Sequence, residues 1–328
     1  DYGNQDASFH ASLDKKHSKE DILKVITSFK SNFEPGSKYE YSNSNFFILG
    51  CIIEKLTKKS YEENLLNRIV KKVELGTFED KTEMTAKGAV TNKAFVPTTY
   101  FREEATNTAN KESYSYYFDG TNWVKSYENH NSIAFSSGGI TSTPADLTKF
   151  IYALFDGKLV SPTSLDQMKE IKEGYGKALI QFPFGERRFY GHGGRIENFS
   201  SMLGYYPTEK MGFSIISNGD NFVQNDIIIG ILSIYYKMPF PFPKFMKMDK
   251  AELAKFTGTY ASKEIPLKIS VSEKNGELFA QATGQGAFPL TFKEKTTFVF
   301  AAAGIEMVFG DNSFILNQGG TKFNFIKE

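Results

Sequence analysis

The chain is short of most of the residues that announce a function. It has one cysteine, one tryptophan and four histidines in 328 residues. With Cys51 as its single thiol it can form no disulfide of its own, which fits the cytoplasm and the periplasm equally. Cys51 falls in an apolar, helix-patterned run and is expected to be a small buried hydrophobe. His10, His17 and His130 are scattered without metal-ligand spacing, so neither a metal site nor a cofactor is expected. An excess of one charge is also missing: 39 Lys and Arg interleave with 38 Asp and Glu. Nothing in that balance argues for a nucleic-acid partner, which would want a basic face. No apolar run reaches membrane-spanning length. The first residue is Asp1, not Met, so cellular location is not legible from this end.

What the chain has in quantity is aromatic side chains, 31 Phe and 17 Tyr, ample material for a core. Its length suits one large domain or a large one with a small one. Residues 20–29 carry apolar side chains at helical spacing behind a Ser18–Asp21 cap, and Pro35-Gly36 marks a turn. Phe46, Leu49, Ile53 and Leu56 form a helical stripe, with Asn43 or Ser44 as cap. Ser60 and Glu63 form a capping box for a helix through about Val73. Thr143-Pro144 opens a helix that Gly157 ends. Residues 76–135 read as irregular decoration. Within them Tyr114–Phe118 is either a packed surface loop or a cleft lining. Lys71-Lys72 is an ordinary charged helix end. Residues 199–206 and 211–217 read as a hairpin turning at Pro207–Lys210, and 222–237 as an apolar helix.

Pro239-Phe240-Pro241-Phe242-Pro243 cannot be helical and favours an extended connector. Beyond it the apolar period drops to two: Leu267, Ile269 and Val271 alternate with polar residues, and Asn275-Gly276 signals a tight hairpin. Further short strands near 288–292, 297–300, 305–309, 314–317 and 322–326 predict a small antiparallel barrel. The expected organisation is a domain over 1–238, a Pro-rich linker over 239–247 and a barrel over 248–328.

Two short motifs carry chemical potential, and each alone has a plain structural explanation. Tyr41-Ser42-Asn43 can be a helix cap, and His192-Gly193-Gly194 a turn or strand entry. In this order and with these flanks they say more. The block from Phe33-Glu34-Pro35-Gly36 through Leu56 resembles the tyrosine-motif segment of the serine β-lactamase and penicillin-binding protein superfamily, in its class C β-lactamase and D-alanyl-D-alanine carboxypeptidase-like branch. Ser137–Leu147 resembles a stretch common in these proteins. Tyr190-Gly191-His192-Gly193-Gly194 stands where the family has its Lys-Thr-Gly or His-x-Gly strand, continued by Asn198-Phe199-Ser200-Ser201. Residues 253–328 resemble the lipocalin-like domain often fused behind such hydrolases.

The resemblance implies an α/β (α+β) fold, a transpeptidase-like antiparallel sheet flanked by helices, followed by a small β-barrel. It implies serine hydrolysis through an acyl-enzyme, on D-amino-acid peptides, peptidoglycan-type amides, β-lactam-like molecules or small esters, in the periplasm or outside the cell. Acyl transfer needs a base for the hydroxyl proton and donors for the oxyanion. By resemblance Tyr41 is that base or relay, a role open to a phenol only where cations lower its pKa. Asn43 would hold the motif lysine and the substrate amide, and His192 would face the substrate carboxylate. Gly193, Gly194 and Arg195 would form the substrate and oxyanion edge, with the Arg195 N–H a donor and Gly194 admitting close backbone approach. Relatives often carry glycine at the position of Arg195, so its bulk bears on access.

The nucleophile is the missing part. Ser12-Leu13-Asp14-Lys15 is the one Ser-x-x-Lys in the chain, and it lies in a polar stretch rather than on an apolar helix. Ser12 is therefore not expected to be catalytic. Asp1-Tyr2 resembles a point inside the family's catalytic domain, so the nucleophile is expected upstream, on roughly a hundred further residues by the family's layout around that motif. A preceding segment or a second chain would then complete the fold. The other readings are a non-catalytic binding module that keeps the pocket without the nucleophile, and a barrel that takes a small apolar ligand or acts as a lid.

Overall fold

The computed structural model describes residues 11–85, 88–102, 105–119, 122–219, 221, 223–240, 248–274, 276–300 and 303–328. Asp1, Tyr2, His10, most of the expected linker (241–247) and Asn275 lie outside them. The chain divides into two compact units: residues up to 115 with 126–218, and residues 116–125 with 219–328.

In the first unit, α1 (Lys19–Ser28) starts where Ser18 accepts the Asp21 N–H, as its sequence predicts. Next come α2 (Asn43–Thr57) and α3 (Tyr61–Leu65), the latter opened by the Ser60–Glu63 capping box and continued by a π-helical turn over Leu66–Val70. The cap of α2 is Ser42, one residue before the expected pair; its hydroxyl accepts the Asn45 N–H at 3.3 Å.

A larger correction concerns the face α2 buries. Phe46, Leu49, Ile53 and Leu56 are exposed, Leu56 at 77%. The buried side is Ser44, Phe47 and Gly50. Small residues win because they let the backbone close on the short helix α4 (Phe135–Gly138). A Cβ on Gly50 would strike Ser136 and the Phe135 ring, and the Ser136 hydroxyl donates to the Phe46 carbonyl at 2.8 Å. Ile22, Phe47, Ile133 and Phe135 form the core there. Cys51 is half-buried rather than buried, and burial pushes its thiol pKa up.

Residues 76–135 are more regular than expected. β1 (Gly76–Thr85) and β2 (Gly88–Pro97) form a ten-rung hairpin, from Gly76↔Pro97 to Thr85↔Gly88. Its strands are short of apolar alternation because this ribbon is largely exposed. β3 (Tyr100–Phe101) pairs with β6 (Ile140–Thr141).

α5 (Pro144–Phe155) is capped by Thr143 and ends at Asp156-Gly157; α6 (Pro162–Met168) follows. The main sheet has the order β10-β9-β8-β7, from β7 (Ile180–Phe184), β8 (Arg187–Ile196), β9 (Phe199–Tyr206) and β10 (Met211–Ser217). The β9–β10 hairpin has the boundaries its sequence predicts. α5 lies against it. The Tyr152 hydroxyl donates to the Lys210 carbonyl and accepts the Gly212 N–H. Ile151, Leu154, Leu165, Leu203 and Tyr205 share one core cluster.

The second unit holds a short hairpin of β4 (Tyr116–Phe118) and β5 (Trp123–Lys125), helix α7 (Gln224–Tyr235) and the barrel, preceded by α8 (Lys250–Leu253). The barrel's strands are β11 (Gly258–Ala261), β12 (Lys268–Lys274), β13 (Glu277–Ala282), β14 (Phe288–Glu294), β15 (Thr297–Phe300), β16 (Ile305–Gly310), β17 (Ser313–Gln318) and β18 (Thr321–Lys327). They run in chain order, and β11 closes on β18 at Tyr260↔Lys327. β12 and β13 pair from Ile269↔Ala282 to Lys274↔Glu277. Inside, Tyr260, Leu278, Phe298, Met307, Phe314 and Phe325 are all almost completely buried. Phe314 and Phe325 stack at 4.8 Å. Side chains thus fill the interior, as eight strands allow, against the reading of the barrel as a container for an apolar ligand.

Candidate active site

Tyr41 and His192 come from distant parts of the first unit and meet. Tyr41 is in the extended segment that leads into α2, held there by the Glu34–Ser37 turn, with Gly36 at φ +80°, and by the Ser42 cap. His192 is in the second half of β8, opposite Leu203 of β9. The two rings are 6.4 Å apart, centroid to centroid, tilted by 37°. Asn43 is the first residue of α2, two positions beyond Tyr41.

β8 is shaped to present this region. β7 pairs with it only as far as Gly191, opposite Ile180, whereas β9 continues to Ile196. Among the described residues no strand pairs with the β7 side of β8 beyond Gly191, and this edge carries His192, Gly193, Gly194 and Arg195. A Cβ on Gly194 would come within 2.6 Å of the Ser201 hydroxyl, so glycine there serves sheet packing as well as open approach. Arg195 is exposed, opposite Ser200. His192 Nδ1 lies 2.5 Å from the Gly193 carbonyl. A carbonyl only accepts, so Nδ1 carries the proton and the neutral ring keeps its lone pair on Nε2.

The turn after this edge is anchored. Ile196↔Phe199 leaves Glu197-Asn198 as a two-residue connection, with Glu197 at φ +48°. Glu197 accepts the Asn129 N–H at 3.1 Å and the Asn198 amide donates to the Ser126 hydroxyl at 2.8 Å. Burial, aided by the Glu128 carboxylate, raises the Glu197 pKa above the usual range despite that N–H.

Two tyrosines absent from the sequence-based site complete the cluster. Tyr175 lies 6.0 Å from Tyr41 and 6.3 Å from His192, and Tyr39 stacks on Tyr175 at 4.8 Å. Tyr39 could have been noticed for its spacing of two from Tyr41; Tyr175 has no such marker beyond the Glu173-Gly174 turn signal before it. The surroundings raise the Tyr41 pKa, first through burial and then through Tyr175. By itself this environment does not make the phenol a base.

Ser12 sits in a turn at residues 11–15, not on an apolar helix, with Lys15 exposed. His17 Nε2 is 3.2 Å from its hydroxyl and 2.9 Å from its carbonyl. The carbonyl needs Nε2 as donor, which leaves that nitrogen no lone pair to take the hydroxyl proton. His130 Nδ1 is bonded to the Ser132 hydroxyl at 2.9 Å. Among the described residues no group of three His, Cys, Asp or Glu could hold a metal ion.

This sheet, with α5 on it and a Tyr–His contact at the open edge of β8, has the β-lactamase-like fold of known structures. The D-amino acid amidase from Ochrobactrum anthropi SV3, solved with D-phenylalanine, superposes with a TM-score of 0.55 at 22% identity, covering 69% of this chain and 67% of that one. The octameric penicillin-binding protein homologue from Pyrococcus abyssi does so at 0.51 and 21% identity, over 90% of this chain and 66% of that one. The chain belongs to the Beta-lactamase family, which it matches over residues 2–231. Penicillin-binding protein 4* of Bacillus subtilis (strain 168) is 22% identical over 315 residues, 88% of this chain. The chain spans 66% of that relative's length.

Proposed function

We propose that the protein serves serine-dependent hydrolysis through an acyl-enzyme, on D-amino-acid amides and peptides, peptidoglycan-type amides or small esters, in the periplasm or outside the cell. Tyr41 is the proton acceptor or relay, Asn43 and His192 hold the substrate, and the Gly193–Arg195 edge contributes an oxyanion donor. The observation that supports this most is the approach of Tyr41 to His192 at the one-sided edge of β8. An edge of that kind offers backbone N–H groups to a substrate amide or an oxyanion. Among the described residues no cation brings the pKa of this phenol down, and the lysine of a Ser-x-x-Lys helix would supply one together with the nucleophile. In this reading that helix belongs to polypeptide beyond these 328 residues, on an extension of the chain or on a second chain. The exposed stripe of Phe46, Leu49, Ile53 and Leu56 offers it an apolar seat.

A second reading, a binding module without catalysis, is favoured by the turn geometry of Ser12. Covalent labelling separates the two. The native protein, treated with a fluorescent penicillin or a fluorophosphonate, is expected to carry the label on a serine of a Ser-x-x-Lys helix, while the 328-residue chain alone stays unlabelled. Label on Ser12 would overturn the placement of the nucleophile. Reversible penicillin binding with no adduct would establish the module.

A further inference from the structure

The contact between the two motifs is completed by a side chain outside both. We propose that Tyr175 is a positioning residue, which holds the Tyr41 ring against His192; this rests on the reading of Tyr41 and His192 as one site.

The backbone of Tyr175 is tied to its neighbours by hydrogen bonds. Lys172 and Tyr175 exchange both backbone hydrogen bonds, at 2.8 and 3.0 Å, across a turn whose central residues, Glu173 and Gly174, have φ of +51° and +86°. Two left-handed residues in succession make the tight turn that matches strand twist. Tyr175 also bridges to Ile180, and Ile180 is paired with Gly191, the residue before His192. Tyr175 is thus registered through the sheet to the strand that bears His192. Gly176 brings the segment onto the end of α6, because a Cβ there would collide with the Met168 carbonyl.

The side chain is braced as well. Tyr39 stacks on it nearly parallel, at 22° with the ring centroids 4.8 Å apart. With that support behind it, Tyr175 touches Tyr41 at 52° and His192 at 60°. Tyr41 itself is 45% exposed on a loop. Of the two rings that contact it among the described residues, His192 and Tyr175, Tyr175 is the one that a further tyrosine stacks on. Without Tyr175 the Tyr41 phenol is free to change rotamer and leave the edge of β8. Burial first, and then the charge Tyr175 carries once ionised, hold the Tyr41 phenol pKa up, so removing the Tyr175 oxygen should ease Tyr41 ionisation.

The test uses the 328-residue chain labelled with ring-carbon-13 tyrosine. Tyr39→Phe and Tyr41→Phe assign the resonances, and the amide spectrum of β8 and β9 reports folding. Tyr175→Phe, which deletes a single oxygen, should lower the pH at which Tyr41 titrates. Tyr175→Leu, which deletes the ring, should shift the His192 ring protons as well. Unchanged Tyr41 titration and His192 resonances in both folded variants would overturn the proposal. Hydrolysis of D-phenylalanine amide by the native protein separates this from the reading beneath it. Tyr175→Leu should lower kcat about 10- to 100-fold with little change in KM. If Tyr41→Phe leaves the rate intact while the Tyr175 variants still move the Tyr41 resonance, the proton-carrying reading fails and the positioning stands. If Tyr41→Phe abolishes turnover but Tyr175→Leu changes neither kcat nor the Tyr41 resonance, the positioning alone fails.

Discussion

Gly191 of β8 faces the Leu203 carbonyl of β9 so closely that no Cβ fits between them. Gly191 immediately precedes His192, so this close approach of backbones sets the depth at which His192 leaves the sheet. Gly191→Ala must push the strands apart or bend one of them. We expect a loss of about 3 kcal/mol, at the upper end of overpacking costs, read as a lowered urea midpoint. An unchanged midpoint would show that the strands yield freely there.

The two sides of α2 should respond in opposite ways. Phe47 is fully buried and stacks edge-on with Phe135 at 5.1 Å. Phe47→Ala should cost about 3–5 kcal/mol. Leu56 is an equally apolar residue on the uncovered side, and in the 328-residue chain alone Leu56→Ser should change stability by less than about 0.5 kcal/mol. Equal losses would mean that the stripe is covered in solution.

A half-buried acid near the end of the 105–115 segment, Glu112, gives a pH signature. Burial alone would raise the Glu112 pKa, but the Tyr100 hydroxyl, the Asn107 N–H and Arg102 together hold it below its ordinary 4.5. A depressed native pKa stabilises the fold fully above the ordinary value, and that stability is lost as pH falls through the native one. The stability gap between wild type and Glu112→Gln should therefore be constant at neutral pH and close below 4.5. A gap that widens in acid would contradict the assignment.

Its partner gives the alkaline counterpart. Burial and the bond to Glu112 raise the Tyr100 phenol from 10 to about 12. The native state then keeps a proton that the unfolded chain releases, so stability should decline as pH rises from 10 towards 12. Tyr100→Phe should flatten that decline in thermal unfolding measured against pH. An unaltered slope would assign the decline to other groups.

Where local chemistry decides the structure, the sequence was legible. The Ser18 cap, the Ser60–Glu63 box, the Thr143-Pro144 start and the Pro207–Lys210 turn all satisfy backbone groups within a few residues. The barrel was legible for the same reason, with period-two strands between tight turns. Contacts across long separations were not. Which face of α2 is buried depends on Gly50 meeting Ser136, and hydrophobicity alone points to the opposite face. The β1–β2 ribbon hides because its described side chains are mostly exposed. Of the site, the two motifs stood out through their resemblance to a family. Tyr175 did not, because its role comes from a hairpin that carries it beside β8.

The central claim is that Tyr41 and His192 belong to one hydrolytic site, with the phenol in the proton path. It is tested most directly by the turnover of D-phenylalanine amide by the native protein and its Tyr41→Phe variant, which lacks one oxygen. Removal of a general base or relay should lower kcat by about 100-fold or more, with the fold unchanged by its amide spectrum. A Tyr41→Phe variant that turns over at the wild-type rate would contradict the claim and leave Tyr41 a packing residue at the entry to α2.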